Sequence, residues 1–377
     1  MLESGPLGEW MWSSKIPGVP EVLPQEAKAS FGGAELRIKE SLAKSKEVGG
    51  IIEGQLLFDG TVTAMDFSFC DVKDLLSIEL PSTLTRIGPY AFEYTSLSEI
   101  SIPKNVETIG ASAFENCGNL KTVDFSKCTK LSSIGNYAFG CMLSDVMILN
   151  NVVLPNSLRT IGTLAFYNCD MLTNIKLNEG LETIGANAFA NCDLLTELVI
   201  PSTVTTIGQN TDNTSIVNQC NKLSTIYLPE YMTGELCENA FVNCGNTASS
   251  TNVVLYECAE KVGDLVIGSN CFSGIGPTGN TGMIVLPRNV TELGPEVFGS
   301  SFNTIVFLSE TPPTISGKKD TFNNVPAGTK IYVPTGCSSA YSTAWGDKIK
   351  DSKGNPYAEI VEGTPPGFKI YTKSELP

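Results

Sequence analysis

The chain has 377 residues, of which 42% are apolar and only 17% charged, with a net charge of −15 and a sequence pI near 4.6. Twenty-five Lys and Arg against 40 Asp and Glu leave no basic surface for a polyanion, so nucleic acid is not expected as a partner. Nor is a membrane-spanning segment, since no long uninterrupted apolar run is present. The chain has no histidine, which excludes imidazole-based triads and most zinc enzymes. Its 12 cysteines contain no Cys-x-x-Cys pair, so zinc ribbons and thioredoxin-type sites are not indicated.

In chain order, residues 1–20 hold Trp10 and Trp12 among Gly and Pro without periodicity and read as linker, with no leader pattern of basic residues followed by an apolar run. Residues 31–48 carry Leu36-x-Ile38-x-x-x-Leu42 among Lys and Glu, which predicts an amphipathic helix capping whatever follows. The stretch 49–80 supplies strand-like runs and a first repeat. From there a phrase recurs: Ile-Gly-x-x-Ala-Phe, often Asn-Cys, then Leu-x-x-Ile-x-Leu and often Pro. It begins at Ile87, Ile109, Ile134, Ile161, Ile184, Ile207, Ile267 and Leu293, with a degenerate copy at Leu236. The best-kept steps are 22 or 23 residues (Ile87 to Ile109, Ile161 to Ile184, Ile184 to Ile207). A period in the twenties means one small unit per repeat, stacked into a solenoid with one continuous core.

Within a repeat, Leu120 to Phe125 shows the strand. Val123 and Phe125 share one face, Thr122 and Asp124 the other. Pro81, Pro103, Pro155, Pro201, Pro229 and Pro287 follow such strands and end the ladder, because Pro lacks an N–H. The return leg Val106-x-x-Ile109-Gly110-x-x-Ala113-Phe114 has spacings of three and four, which predict a short helical turn, with Gly110 giving backbone freedom where the chain reverses. Phe should stack on Phe and Cys on Cys, and a stack with bulkier turns on one edge should curve, strands inside. The expected fold class is an α/β repeat solenoid, a right-handed leucine-rich-repeat coil with short strands on its concave face and short helical turns on its convex face. The expected domains are 1–50 (linker and cap), 51–314 (solenoid) and 315–377 (a C-terminal capping module, with 341–345 packing back onto the last coil and 363–367 a bend).

These residues also carry a family resemblance. The chain resembles the BspA-like leucine-rich-repeat surface proteins of gut and oral bacteria and some mucosal protists, well over about 75–314 and weakly over 51–74. Thr311-Pro312-Pro313, Phe322, Ile331-Tyr332-Val333-Pro334 and Tyr341…Trp345 resemble that family's closing module. The irregular steps near 207–265, with 211–219 and 246–252 inserted, depart from it. The resemblance implies a secreted or surface-anchored, non-enzymatic protein engaged in adhesion or protein binding, with a protein or glycoprotein as partner.

Candidate sites follow from the outward strand positions. The middle residue of each strand motif runs Glu79, Ser101, Asp124, Val153, Lys176, Val199, Tyr227, Val254, Val285, Val306: mixed at first, wholly apolar from Val199. The neighbouring row stays mostly polar and includes Glu197, Thr225 and Met283. Val199, Tyr227, Val254, Val285 and Val306, rimmed by Glu197, Thr225 and Met283, are therefore the candidate partner-binding residues, because exposed contiguous apolar surface marks interaction sites. Two readings compete: plain β-propensity, and cover by the C-terminal module or an insertion. Carbohydrate recognition is an alternative that wants aromatic platforms, of which this row offers only Tyr227. A hydrolase built on Asp320, Asp347, Asp351 and Glu359 in the last 63 residues is a weaker one. Cys117, Cys169, Cys192, Cys220 and Cys244, with Cys141 a residue early, share a repeat position and read as buried thiols rather than a metal or redox ladder. No catalytic residue, metal or cofactor is expected. The Gly-rich stretch 274–282 reads as a loop and the sequons at Asn213 and Asn289 as incidental.

Overall fold

The computed structural model describes residues 63–377 apart from 67, 74, 143–146, 209–214, 249, 261–262, 278–281, 301, 317–320, 323–324, 347 and 351–355, together with the backbone of seven short strands before residue 60. The chain forms two compact units, Met1–Asp170 and Met171–Pro377. Within 31–48, where sequence spacing predicts a helix, the described backbone is extended. Ala34–Ile38 pairs antiparallel with Ala27–Phe31, and Lys46–Val48 with Ile51–Glu53. The apolar pair Leu36 and Ile38 also has the period of a strand, and Gly32-Gly33 separates the paired strands, a two-residue combination suited to hairpins. The rest of 1–62 lies outside the described residues.

In the first unit, two-residue strands Ala64–Met65, Arg86–Ile87, Thr108–Ile109, Ser133–Ile134 and Thr160–Ile161 form a parallel, in-register ladder. Ile87, Ile109, Ile134 and Ile161 occupy equivalent places in it and are buried. A second parallel pair joins Glu99–Ser101 to Thr122–Asp124. As the alternation predicts, Val123 and Phe125 are buried there and Thr122 is exposed.

The return leg is where the structure differs from the expectation of helical turns. Ser112 and Asn116 both have left-handed backbone (φ 57° and 58°), as do Asn187 and Asn191, and Asn239 and Asn243. A helix cannot pass through such residues. Alternate backbone N–H groups of this leg donate to the next rung, Ser112 to the Asn136 carbonyl (2.8 Å), Phe114 to Ala138 (2.8 Å) and Asn116 to Gly140 (2.9 Å), while Glu115 donates within the turn to Ser112 (3.1 Å). The fold is thus a parallel-strand solenoid of the leucine-rich-repeat kind with little helix. Spacings of three and four are equally those of a tight turn that buries Ala113 and Phe114, which is why the pattern misleads.

The glycine of the motif also has a different role from the one expected. Gly110 does not have positive φ. A Cβ there would lie 2.6 Å from the Gly88 carbonyl carbon, and one on Gly135 would lie 2.7 Å from that of Gly110. Close approach of successive rungs, not conformational freedom, demands glycine. The phenylalanines stack as their register requires: Phe69, Phe92, Phe114, Phe139 and Phe166 form a file with successive centroids 5.3, 5.2, 5.1 and 5.3 Å apart and nearly parallel planes.

In the second unit a ladder of the same kind runs through Thr183–Ile184, Thr206–Ile207, Gly234–Leu236, Leu265–Ile267, Val290–Leu293 and Thr314–Ile315. The first-leg strands lengthen to Thr225–Pro229, Asn252–Tyr256, Gly282–Val285, Phe302–Val306, Thr329–Val333 and Ala358–Glu362, all parallel. The helix Ser338–Trp345 packs against the last rungs. Trp345 lies 5.0 Å from Phe307 and 5.3 Å from Phe322, ring to ring, and its indole N–H donates to the Pro313 carbonyl (3.0 Å). The Tyr341 hydroxyl donates to Ser309 (2.7 Å). Large aromatics with satisfied polar ends cover the apolar rung that a solenoid would otherwise leave open to water.

Phe114→Ala should remove stacking partners on both sides and lower stability by about 3–5 kcal/mol. Gly135→Ala, which adds one methyl against backbone that cannot yield, should cost about 1–3 kcal/mol. Urea unfolding of the two variants beside the parent chain checks both values.

Candidate functional site on the strand face of the second unit

The outward strand positions divide by exposure. In the first unit Glu99, Ser101, Thr122 and Asn151 are exposed, and Val153 is 56% exposed. In the second, Asn174 and Lys176 are exposed and Glu197, Val199, Thr225 and Met283 half-buried. The remaining predicted residues are interior: Tyr227 is 7% exposed, Val254 5%, Val285 0% and Val306 1%. The expectation of an open apolar stripe is therefore corrected. From Tyr227 onward the apolar side chains of this row are covered, and Tyr371 and Leu376 of the C-terminal tail pack against the cluster that holds Tyr227 and Val254.

Tyr227, Val254 and Tyr256 form a cluster against which Val199, Cys258, Tyr371 and Leu376 pack. Tyr371 meets Tyr227 edge to face, centroids 5.4 Å apart and planes at 88°, a geometry favoured by the ring quadrupoles. Burial, with the Glu197 carboxylate next in importance, pushes the Tyr227 hydroxyl up to about 12. Tyr256 is fully buried and its hydroxyl donates to the Ile200 carbonyl (2.9 Å), two rungs earlier. Sequence reasoning missed Tyr256, Tyr371, Leu376 and their neighbours. The signal for the first was present. Val253-Val254-Leu255-Tyr256 is a continuous apolar run, which marks a strand covered on both faces.

The tail reaches this cluster by strand addition. Ile370–Tyr371 pairs in parallel with Leu255 and Tyr256, and the Glu257 N–H donates to the Tyr371 carbonyl (2.7 Å). An edge is available there because the following rung turns away. Arg288 N–H donates to Glu230 (2.9 Å) and the two side chains form an ion pair. The Asn289 side chain bonds both Met232 and the Gly263 carbonyl (2.7 Å). Asn289 is held by these bonds as a structural residue. Leu255 and Tyr256 pair on one side with Leu228 and Pro229, and the tail supplies the pairing on the other.

The tail is itself ordered. Lys373–Glu375 is a single 3-10 turn with a capping box between Thr372 and Glu375. Lys369 bonds Glu375 (2.5 Å) and lies 4.8 Å from the centre of the Tyr371 ring. That bond draws the Glu375 carboxyl down to about 2. Lys373 reaches back to Glu179 (2.9 Å).

The cysteines behave as buried thiols. Cys117 donates to the Phe92 carbonyl (3.0 Å), Cys169 to Phe139 (3.4 Å) and Cys220 to Phe189 (3.0 Å), each one rung back. No disulfide joins them. Among the described residues no three Cys, Asp or Glu converge on a point, and no helix is long and apolar enough to cross a membrane. Of the carboxylates in the weaker enzymatic alternative, Glu359 is exposed on its strand, while Asp320, Asp347 and Asp351 lie outside the described residues, as does Asn213.

A stack of short parallel strands with Ile, Phe and Cys files defines a leucine-rich-repeat β-solenoid. The sequence model of the BspA type leucine rich repeat region, in six copies, matches residues 62–148, 143–255 and 265–350. The chain belongs to this family. No curated protein matches it. Among solved structures it is similar to a leucine-rich repeat protein from Bacteroides ovatus ATCC 8483 (20% identity, 80% of this chain and 76% of that one, TM-score 0.47). It is also similar to the pneumococcal vaccine antigen PcpA (18% identity, 90% and 99%, TM-score 0.37) and to a leucine rich cell surface protein from Faecalibacterium prausnitzii A2-165 (17% identity, 92% and 95%, TM-score 0.33).

The buried thiols give the fold an alkaline limit. Burial pushes Cys117 up to about 11, and raises Cys169, Cys244 and Cys271 as well. The unfolded chain releases these protons near pH 9 while the folded one retains them, so stability is full below pH 9 and falls as pH rises above it. Cys117 alone should account for roughly 2–3 kcal/mol by pH 11. Urea midpoints at pH 8 and pH 10.5 should show the loss, and Cys117→Ala should reduce it.

Proposed function

We propose that this chain is a cell-surface or secreted binding protein, not an enzyme, and that a protein or glycoprotein partner engages its strand face. The observation that carries the reading is the open face of the first unit. Glu99, Ser101, Thr122, Asn151 and Val153 present short polar and aliphatic side chains to solvent from strands whose backbone is held by the stack. Side chains placed this way on rigid strands lose little freedom when a partner binds, which favours recognition over many rungs. In the second unit the partner reaches Glu197, Val199, Thr225 and Met283 directly. Tyr227 and Val254 become available only where the tail leaves. Family membership and a polar surface rich in Ser, Thr and Asn support the location.

The test is a binding screen of the purified chain against matrix proteins, mucins and polysaccharides. A protein or glycoprotein hit is expected to weaken at least tenfold, about 1.4 kcal/mol, in a Thr122→Arg/Val153→Asp variant whose melting temperature is unchanged. A hit indifferent to that variant and to Val199→Asp would remove the strand face from the reading. A polysaccharide hit alone would replace the partner class.

A further inference from the structure

The C-terminal tail occupies a site made by residues far from it in sequence, and the details resemble a bound peptide more than a sealed core. One edge of Leu255–Glu257 is left to the tail because Arg288 and Asn289 of the following rung bond Glu230 and Met232 instead. Onto that edge Ile370–Tyr371 adds in parallel. Main-chain pairing with a side-chain pocket beside it is the usual way an extended peptide is recognised by a sheet edge. Here the pocket is the Tyr227 ring, met edge-on by Tyr371. The Lys373 ammonium at Glu179 supplies a charge that fixes register.

The tail holds this site lightly. Ile370, Tyr371 and Leu376 are only half-buried, and the Lys373–Glu179 pair is exposed on both sides, so it contributes little. The tether is 363–367, Gly-Thr-Pro-Pro-Gly. Gly363 (φ 96°) and Gly367 (φ 80°) both have left-handed backbone with no atom within 4 Å of an added Cβ. Gly363 is anchored, its N–H donating to the Val333 carbonyl (2.9 Å), and Pro365 is buried, so the pivot is the exposed Gly367, beyond which the segment can swing without disturbing the rungs. The capping-box turn and the Lys369–Glu375 bond keep it organised while it does so. Segments with few buried contacts and exposed hydrogen bonds open before the global unfolding transition.

We propose that Leu255–Glu257 and Tyr227 form an acceptor site for an extended peptide of the pattern Ile-Tyr-x-Lys-x-x-Leu, added in parallel with its aromatic ring against Tyr227, and that the tail 368–377 is the resident, displaceable occupant. The occupant's chemistry is that of the tail: an aliphatic–aromatic pair, a cation two residues later, and a further aliphatic residue. The inference rests on the reading of the chain as a binding protein. Its assay uses only the chain's own tail sequence, so it succeeds or fails independently of the partner screen.

The probe is a fluorescent synthetic peptide of residues 368–377. Full-length protein carrying Tyr371→Ala and Lys373→Glu should bind it at least tenfold more tightly than the parent chain does, and a peptide with Tyr371→Ala should lose at least tenfold. A chain ending at Gly367 should behave like the double variant, which guards against a substitution that fails for local reasons. The Glu257 amide of the parent chain should exchange with deuterium much faster than the Phe114 amide. Absence of peptide binding to both opened forms while each still melts cooperatively would overturn the proposal. So would Glu257 protection equal to that of Phe114. A full-length dimer by light scattering that is lost on truncation would show the tail exchanging between two copies, and would overturn its assignment as the occupant of its own site.

Discussion

Everything in this molecule follows from one obligation: each rung's backbone N–H and C=O groups must find partners in the adjacent rungs, along every leg. The strand legs meet it as parallel ladders. The return leg meets it too, with Ser112, Phe114 and Asn116 donating to the next rung rather than to residues of their own turn. Buried backbone polar groups are costly to leave unpaired, and this arrangement leaves the rungs no freedom to drift. Equivalent side chains are therefore held above one another at the rung spacing, and only residues that stack well at that distance are tolerated. Phenylalanine rings lie flat on phenylalanine rings, and a cysteine satisfies the carbonyl of the phenylalanine one rung back. Glycine sits where a Cβ would strike the backbone below.

Much of this was legible before the structure, because a repeat prints its contacts many times over. The Ile, Phe and Cys files, the inward Val123 and Phe125, and the packing of Tyr341 and Trp345 on the last rungs could all be read from spacing or from family resemblance. The helical turns could not be distinguished from tight turns by spacing, since both bury residues three and four apart. The deciding signal was compositional. Asparagine recurs at positions 116, 168, 191 and 243, where the chain adopts left-handed φ, and asparagine is one of the few residues that tolerates it. Likewise a glycine such as Gly110 can serve backbone freedom or close approach, and sequence alone does not separate the two.

The covered stripe was illegible for a different reason. Tyr227 and Tyr371 are separated by more than a hundred residues, and the tail strand that pairs with Leu255–Tyr256 is two residues long, too short for any period to reveal. The row of Val and Tyr is apolar in sequence, but hydrophobicity alone does not say whether partner, neighbour copy or the chain itself provides the cover. Only the unbroken run Val253-Val254-Leu255-Tyr256 hinted that both faces of that strand are enclosed.

That cover is also a place where the governing obligation is met by something outside the repeat. Wherever the rungs follow one another, the next rung supplies the missing hydrogen bonds. At Leu255–Glu257 the bonds on one side come from a tail that pivots at Gly367. A rung bonded by its neighbour opens only if the stack opens. A rung bonded by a tether can be released without disturbing the stack. The irregular step near 257–264 therefore differs in kind from the other departures from the period. It leaves a sheet edge that a segment distant in sequence fills, and a protein whose family and face fit it for binding has at that point a strand position that can change hands.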